Sequence, residues 1–176
     1  FVGADVVIEE HVEIGPGCVL LDRVYIGAGS RLVASVTLAT DTRLGERCLI
    51  HPGAVIGSDG VGLANDHGAW VKVPQIGRAI LGDDVEVGSC TSVDRGAIGD
   101  TVLADGVKLD SQVHVAHNVQ IGMHSAFAGC SAVAGSSKIG AYCTLAGGAG
   151  VNGLECCLNP MFDAKLSYII FTFFPD

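Results

Sequence analysis

Charged and aromatic side chains are scarce in this 176-residue chain, at 16% and 6%, while 49% of its residues are apolar. Disordered chains combine low hydrophobicity with high charge, so that class is excluded. No stretch approaches the roughly 18 apolar residues of a membrane-crossing helix. Tyr168 to Phe174 is apolar but far too short, and no stable membrane insertion is expected. Basic residues are few, 10 against 19 acidic ones, and the formal charge of −9 argues against nucleic acid as a partner. No C-x-x-C pair occurs among Cys18, Cys48, Cys90, Cys130, Cys143, Cys156 and Cys157, and the count is odd. Buried thiols in a reducing compartment are therefore expected, rather than zinc ligands or disulfides. The chain opens at Phe1 without methionine, which suggests a fragment or a processed chain, and no signal peptide is visible.

What the chain has in abundance is a short period. Val2, Ile8, Ile14, Leu20, Ile26, Leu32, Leu38, Leu44, Ile50 and Ile56 are six residues apart. Leu103, Leu109, Val115, Ile121, Phe127, Val133, Ile139, Leu145 and Val151 keep the same spacing. The residue after the aliphatic is often Gly or Ala, as at Gly122, Ala128, Ala134, Gly140 and Ala146. The fifth residue of each hexad is usually small or β-branched, as at Val6, Val12, Cys18, Val24 and Ser30. Two inward positions in six do not fit a helix of period 3.6, but they fit short strands joined by tight turns. A strict short period is the mark of a solenoid. Three hexads per coil give a triangular prism whose neighbouring coils pair as parallel strands about 4.8 Å apart.

The period breaks twice. The first break is an inserted loop at about 58–80, and the second lies between Val93 and Leu103, around Asp94-Arg95-Gly96. If each insertion belongs to the hexad it interrupts, the hexads starting at Val2, Leu20, Leu38, Ile56, Val93, Val115, Val133 and Val151 share one column. Should Ile76-Gly77 start a hexad of its own, the phase below Leu81 shifts by one column. In either case Arg95 lies one coil below His117 and Gly135 one coil above it. A histidine between a guanidinium and a position without a side chain suits a cleft. The hexads define a β-helix domain over 1–153. Residues 154–176 are an aperiodic tail, either a cap on the prism or disordered.

In the stretch from Val115 to Gly122, His117 is the one residue suited to proton transfer near neutral pH; the bland alternative is a turn histidine in solvent. His114 and His124 flank it and invite a zinc reading, but spacings of three and seven put them at other hexad positions, so no metal is expected. Arg95 either contacts a diphosphate or an acyl-chain end, or pairs with Asp94 or another acid. Trp70, the single tryptophan, either lines a substrate or packs against a neighbouring subunit. Backbone N–H groups near Gly135 are candidate donors to an oxyanion.

The hexads resemble the left-handed parallel β-helix of hexapeptide-repeat acyltransferases. Four segments narrow the resemblance: Ile56-Gly57-Ser58-Asp59-Gly60-Val61-Gly62, Trp70-Val71-Lys72-Val73-Pro74-Gln75-Ile76-Gly77, Val93-Asp94-Arg95-Gly96-Ala97, and His114-Val115-Ala116-His117-Asn118-Val119-Gln120-Ile121-Gly122. They are similar to the N-acyltransferases of lipid A biosynthesis. That resemblance implies an all-β fold and transfer of a 3-hydroxyacyl chain from acyl carrier protein to the 2-amino group of UDP-3-O-acylglucosamine. No cofactor is implied beyond the carrier's phosphopantetheine thioester. A cytoplasmic homotrimer with active sites between subunits is implied as well. His117 matches the family's general base, and Asp110 matches its upstream acid. The family's N-terminal uridine-binding domain and its C-terminal extension are not recognisable here, and Leu154 stands where a second histidine is expected. Crippled N-acyl transfer is therefore expected of this chain. The rivals are a UDP-sugar O-acyltransferase, a coenzyme A-dependent acetyltransferase and a non-catalytic structural solenoid.

Overall fold

The computed structural model describes residues 1–152. The expected tail over 154–176, with Leu154, lies outside the described residues. The described chain holds 23 short strands, most of them two residues long, joined by tight turns. They form three seven-stranded parallel sheets, the faces of a triangular prism, and one two-stranded antiparallel hairpin. This is the expected left-handed parallel β-helix.

One face carries Leu20, Leu38, Ile56, Val93, Val115, Val133 and Val151 in register, with Val2 bridged to Leu20. It is the histidine face, and it is the column read from the sequence. Leu81 pairs with Leu44 and Leu103 on the second face, so Ile76-Gly77 starts no hexad and the phase does not slip. The third face carries Ile50, Val87, Leu109, Phe127 and Leu145.

Each coil donates backbone hydrogen bonds to the next, as from Ala116 N to Val133 O at 3.0 Å and from Gly122 N to Ile139 O at 2.9 Å. The hexad aliphatics fill the interior. Val115 and Val133 are fully buried, and Leu109, Ile121 and Ile139 nearly so. In the first coil the same pattern leaves Val2, Ile8 and Ile14 exposed, because no described coil lies beneath them. Small residues follow the aliphatics because coils approach closely there: a Cβ on Gly15 would overlap the Val33 carbonyl. The corners turn through single left-handed residues, including Asp5, Arg23, Asp41, Arg47, Asp84, Gln112 and Asn118. Asn and Asp tolerate that conformation best among residues with side chains.

Cys18, Cys48 and Cys143 are buried as expected, whereas Cys90 and Cys130 are exposed. The last two sit at left-handed corner positions, where the side chain points away from the core. Cys156 and Cys157 lie outside the described residues.

The first insertion leaves the prism after Val55–Ser58. It forms a hairpin of Leu63–Asp66 and Ala69–Lys72 and returns at Ala79–Leu81. Left-handed His67 and Gly68 make the two-residue turn, and Gly68 N donates to Asn65 Oδ1. Lys72 Nζ reaches Asp59 Oδ2 at 2.9 Å and closes the base of the loop. The second insertion, after Ser92–Asp94, is folded down by Arg78, whose guanidinium bonds Asp100.

Candidate active site

His117 sits in the turn that leaves the histidine face, two residues beyond inward Val115. Its ring lies over Gly135, one coil above: a Cβ there would be 2.7 Å from Cε1 and 2.8 Å from Nε2. Below, Gly60 of the first insertion packs beside the ring edge, and a Cβ on it would lie 3.3 Å from His117 Cδ2. Glycine on both sides gives the half-buried imidazole its space.

The ring's protonation pattern follows from its neighbour. Asn118 Nδ2 donates to Gly99 O at 2.9 Å, and Asn118 Oδ1 accepts from Ala97 N at 2.9 Å. Turning the amide over would break both bonds, so Oδ1 is fixed as an acceptor. His117 Nδ1 lies 3.1 Å from that oxygen. In the neutral ring Nδ1 therefore carries the hydrogen, and Nε2, above Gly135, carries the lone pair. Asn118 N also donates to Thr101 Oγ1 at 2.8 Å, so the second insertion and the strand that follows it hold the His117–Asn118 corner in place.

The other expected site residues are dispersed. Arg95 is one coil below His117, as expected, but its Nε donates to Gly77 O at 2.7 Å and its own N–H goes to Ser58 O. Its bonds staple the two insertions together. Trp70 is 68% exposed on the hairpin; Gly60 is the insertion residue beside the imidazole. The Gly135 N–H donates to no acceptor among the described residues.

Asp110 lies at a different corner, in the turn that enters the histidine face. Its Oδ1 accepts from Ser111 N and its Oδ2 from Gly129 N. It lines an open trough of about 530 Å³ on the third face with His51, Glu86, Lys108, Ala126 and Phe127. His117 is not among the residues that line that trough. Within one chain the strand His114–Val115 separates Asp110 from His117.

Sequence reading missed Asp94. The strands Val55–Ser58 and Ser92–Asp94 slip register by one residue, so Asp94 pairs with Ser58 while left-handed Gly57 bulges out. Asp94 follows inward Val93 and points to the outer side of the sheet, where the insertion covers it to 8% exposure. Ser58 Oγ donates to Oδ1 at 3.3 Å, and His114 Nε2 lies 3.8 Å from Oδ2. Burial pushes this carboxyl above the usual carboxylate range, with His114 and His117 pulling the other way. An acid at the position where Gly or Ala recurs was the available signal.

His114 Nδ1 meets Ser92 Oγ at 2.8 Å, and His124 stacks on Tyr142 at another corner. Among the described residues no three His, Cys, Asp or Glu side chains cluster to hold a metal.

Residues 5–40 match the family model described as bacterial transferase hexapeptide, six repeats. The chain is 55% identical over 128 residues to a UDP-3-O-acylglucosamine N-acyltransferase of Herminiimonas arsenicoxydans, covering 73% of this chain and 37% of the relative. It is 51% identical over 143 residues to that of Coxiella burnetii, covering 77% of this chain and 42% of the relative. The chain thus spans about two-fifths of the length of these relatives. Among solved structures it superposes on the UDP-N-acetylglucosamine acyltransferase of Francisella novicida with TM-score 0.70 and 25% identity, covering 82% of this chain and 54% of that one. It also superposes on LpxA from Acinetobacter baumannii with TM-score 0.73 and 26% identity, covering 86% and 58%. Over its hexapeptide coils, this chain is a homologue of the UDP-3-O-acylglucosamine N-acyltransferases, at 51–55% identity.

Proposed function

We propose that this chain carries the acyl-transfer centre of a lipid A N-acyltransferase, with His117 as the general base. The observation that carries the reading is the His117–Asn118 arrangement, which leaves Nε2 with a free lone pair above Gly135. The acceptor is the 2-amino group of a UDP-linked acylglucosamine, and the donor is a 3-hydroxyacyl thioester on acyl carrier protein. The amine nitrogen attacks the thioester carbonyl while Nε2 takes the amine proton. The carbonyl oxygen becomes an oxyanion and accepts from the Gly135 N–H, which donates to no acceptor among the described residues. The oxyanion then collapses, the carbon–sulfur bond breaks, and the thiolate leaves with the proton returned from His117. General-base help of this kind contributes roughly 10²–10⁴-fold. The thioester is already activated, so no bound cofactor or metal enters.

The working unit is a cytoplasmic homotrimer. Asp110 and His117 occupy different corners of one prism, so they meet only across a subunit boundary. The exposed hairpin with Trp70 packs on the neighbour in the same assembly. Incubation with acyl carrier protein thioesters and amino- or hydroxy-bearing UDP-sugars, read by product mass, tests the reading. Acylated amino-sugar that disappears in His117→Ala is expected. Acylation of the hydroxy-sugar alone, or turnover indifferent to His117→Ala, would overturn it.

A further inference from the structure

The resemblance pairs the base with Asp110, yet within the chain a different carboxylate lies beside the ring. The point a Gly60 Cβ would occupy is 3.2 Å from Asp94 Oδ2 and 3.3 Å from His117 Cδ2, so carboxylate and imidazole flank one spot. Asp94 Oδ1 is held by Ser58, while Oδ2 faces His114 Nε2 at 3.8 Å. The bulge at Gly57 and the insertion that follows it bury the carboxylate here. Asp110, by contrast, spends both oxygens on backbone N–H groups at another corner.

We propose that Asp94 is the carboxylate of this chain that stabilises the His117 imidazolium, which makes it a positioning residue for the transfer. The proposal rests on His117 being the base. When Nε2 takes the amine proton, the ring gains a positive charge in a half-buried place. A buried carboxylate nearby lowers the cost of that charge far more than an exposed one, because little water screens it. The charged or titratable groups around Asp94 are His114 from the neighbouring strand, His117 from the turn beyond it and Asp59 from the insertion. Lys72 is bonded to Asp59, and Arg95 adjoins Asp94 in the chain. Of these, the two imidazoles favour the ionised carboxylate and Asp59 opposes it.

The test is a pH titration of the side-chain carboxyl carbons by NMR on the whole chain. Unmodified protein is compared with His117→Gln and His114→Gln, and an unchanged pattern of core methyl signals serves as the folding control. Removing either imidazole should raise the Asp94 midpoint further and leave the other carboxyl carbons in place. The unmodified chain supplies a second reading that needs no variant: the Asp94 carbon should show an inflection shared with the His117 ring carbon. An Asp94 curve indifferent to His117→Gln, without that shared inflection, would overturn the proposal. In a turnover assay Asp94→Asn should lose activity and Asp94→Glu should regain part of it. Turnover insensitive to His117→Ala would instead defeat the base assignment while leaving the titration result standing, so the two failures are distinct.

Discussion

Replacing Gly135 by alanine would put a methyl group 2.7 Å from His117 Cε1 and 2.8 Å from Nε2. Carbon atoms rest at about 3.5 Å or more, so the ring must withdraw by about 0.8 Å. The backbone tolerates the change, since Gly135 is not among the left-handed glycines. The half-buried ring is the far end of its side chain and can swing aside by stretching its contact to Asn118 Oδ1, so the cost is about 1 kcal/mol. The gain from a stiffer unfolded chain is of similar size, about 0.4–1 kcal/mol. Thermal unfolding should therefore hardly move. Catalysis should move a great deal, because misplacing a reacting group by about 1 Å costs up to 10²-fold. A loss of about 10–100-fold in kcat/KM is expected, read by product mass with protein in excess over substrate. A nuclear Overhauser contact from the His117 ring to the residue 135 Hα tracks the ring independently of turnover and should weaken. Turnover equal to the parent chain would refute the placement of Nε2 above Gly135. Destabilisation beyond about 3 kcal/mol would refute the claim that the ring is free to yield.

Leu103→Ala, at a fully buried hexad position, should cost about 2–5 kcal/mol in denaturant unfolding, while Ile14→Ala, 40% exposed at the equivalent position, should cost under about 1 kcal/mol. Asn118→Ala loses two side-chain bonds to Ala97 and Gly99 and leaves alanine at φ 61; a loss of about 2–4 kcal/mol is expected in the same assay, part of it regained in Asn118→Gly. Burial raises the Asp94 carboxyl in the folded chain, so its contribution favours the fold below the folded pKa and is lost as pH rises through it. Asp94→Asn should therefore melt at or above the parent temperature at pH 7, with the difference closing in acid. Asp41, Asp84 and Asp100 behave oppositely: hydrogen bonds from Arg23, Arg47 and Arg78 hold them below the usual carboxylate range, and that stability fades as pH falls below about 4. Sedimentation at micromolar concentration should show a trimer, and a stable monomer would contradict the proposed assembly.

The fold was legible because one aliphatic in six repeats through almost every coil, and that spacing fixes the face on which each residue lies. Counting in threes placed Gly135 one coil above His117 correctly, since the three hexads between them carry no insertion. What the count missed was the one-residue slip at Gly57, where two residues face Asp94. A slip of that kind is set by backbone hydrogen bonds around a left-handed glycine and leaves no mark on the aliphatic spacing. Asp94 was therefore seen only as a possible partner for Arg95. Arg95 itself bonds a backbone carbonyl, a choice that hexad position does not encode. The exposure of Val2, Ile8 and Ile14 shows a related limit, because the pattern marks which way a side chain points but not whether another coil covers it.

The three-hexad coil also decides which length changes the molecule survives. Removing eighteen residues from any regular stretch before His117 takes out one full turn, and every later side chain keeps its face. Removing six between Leu103 and Val113 keeps each remaining hexad intact by local criteria but rotates everything after it by a third of a turn relative to what precedes it. His117 would then leave the face that carries Asp94 and Gly60, although the core remained apolar throughout. Length variation among related chains should thus accumulate in whole turns or in loops such as 59–77 that rejoin the prism where they left it. A shortened chain of the wrong length would be a folded solenoid whose histidine faces away from its loop.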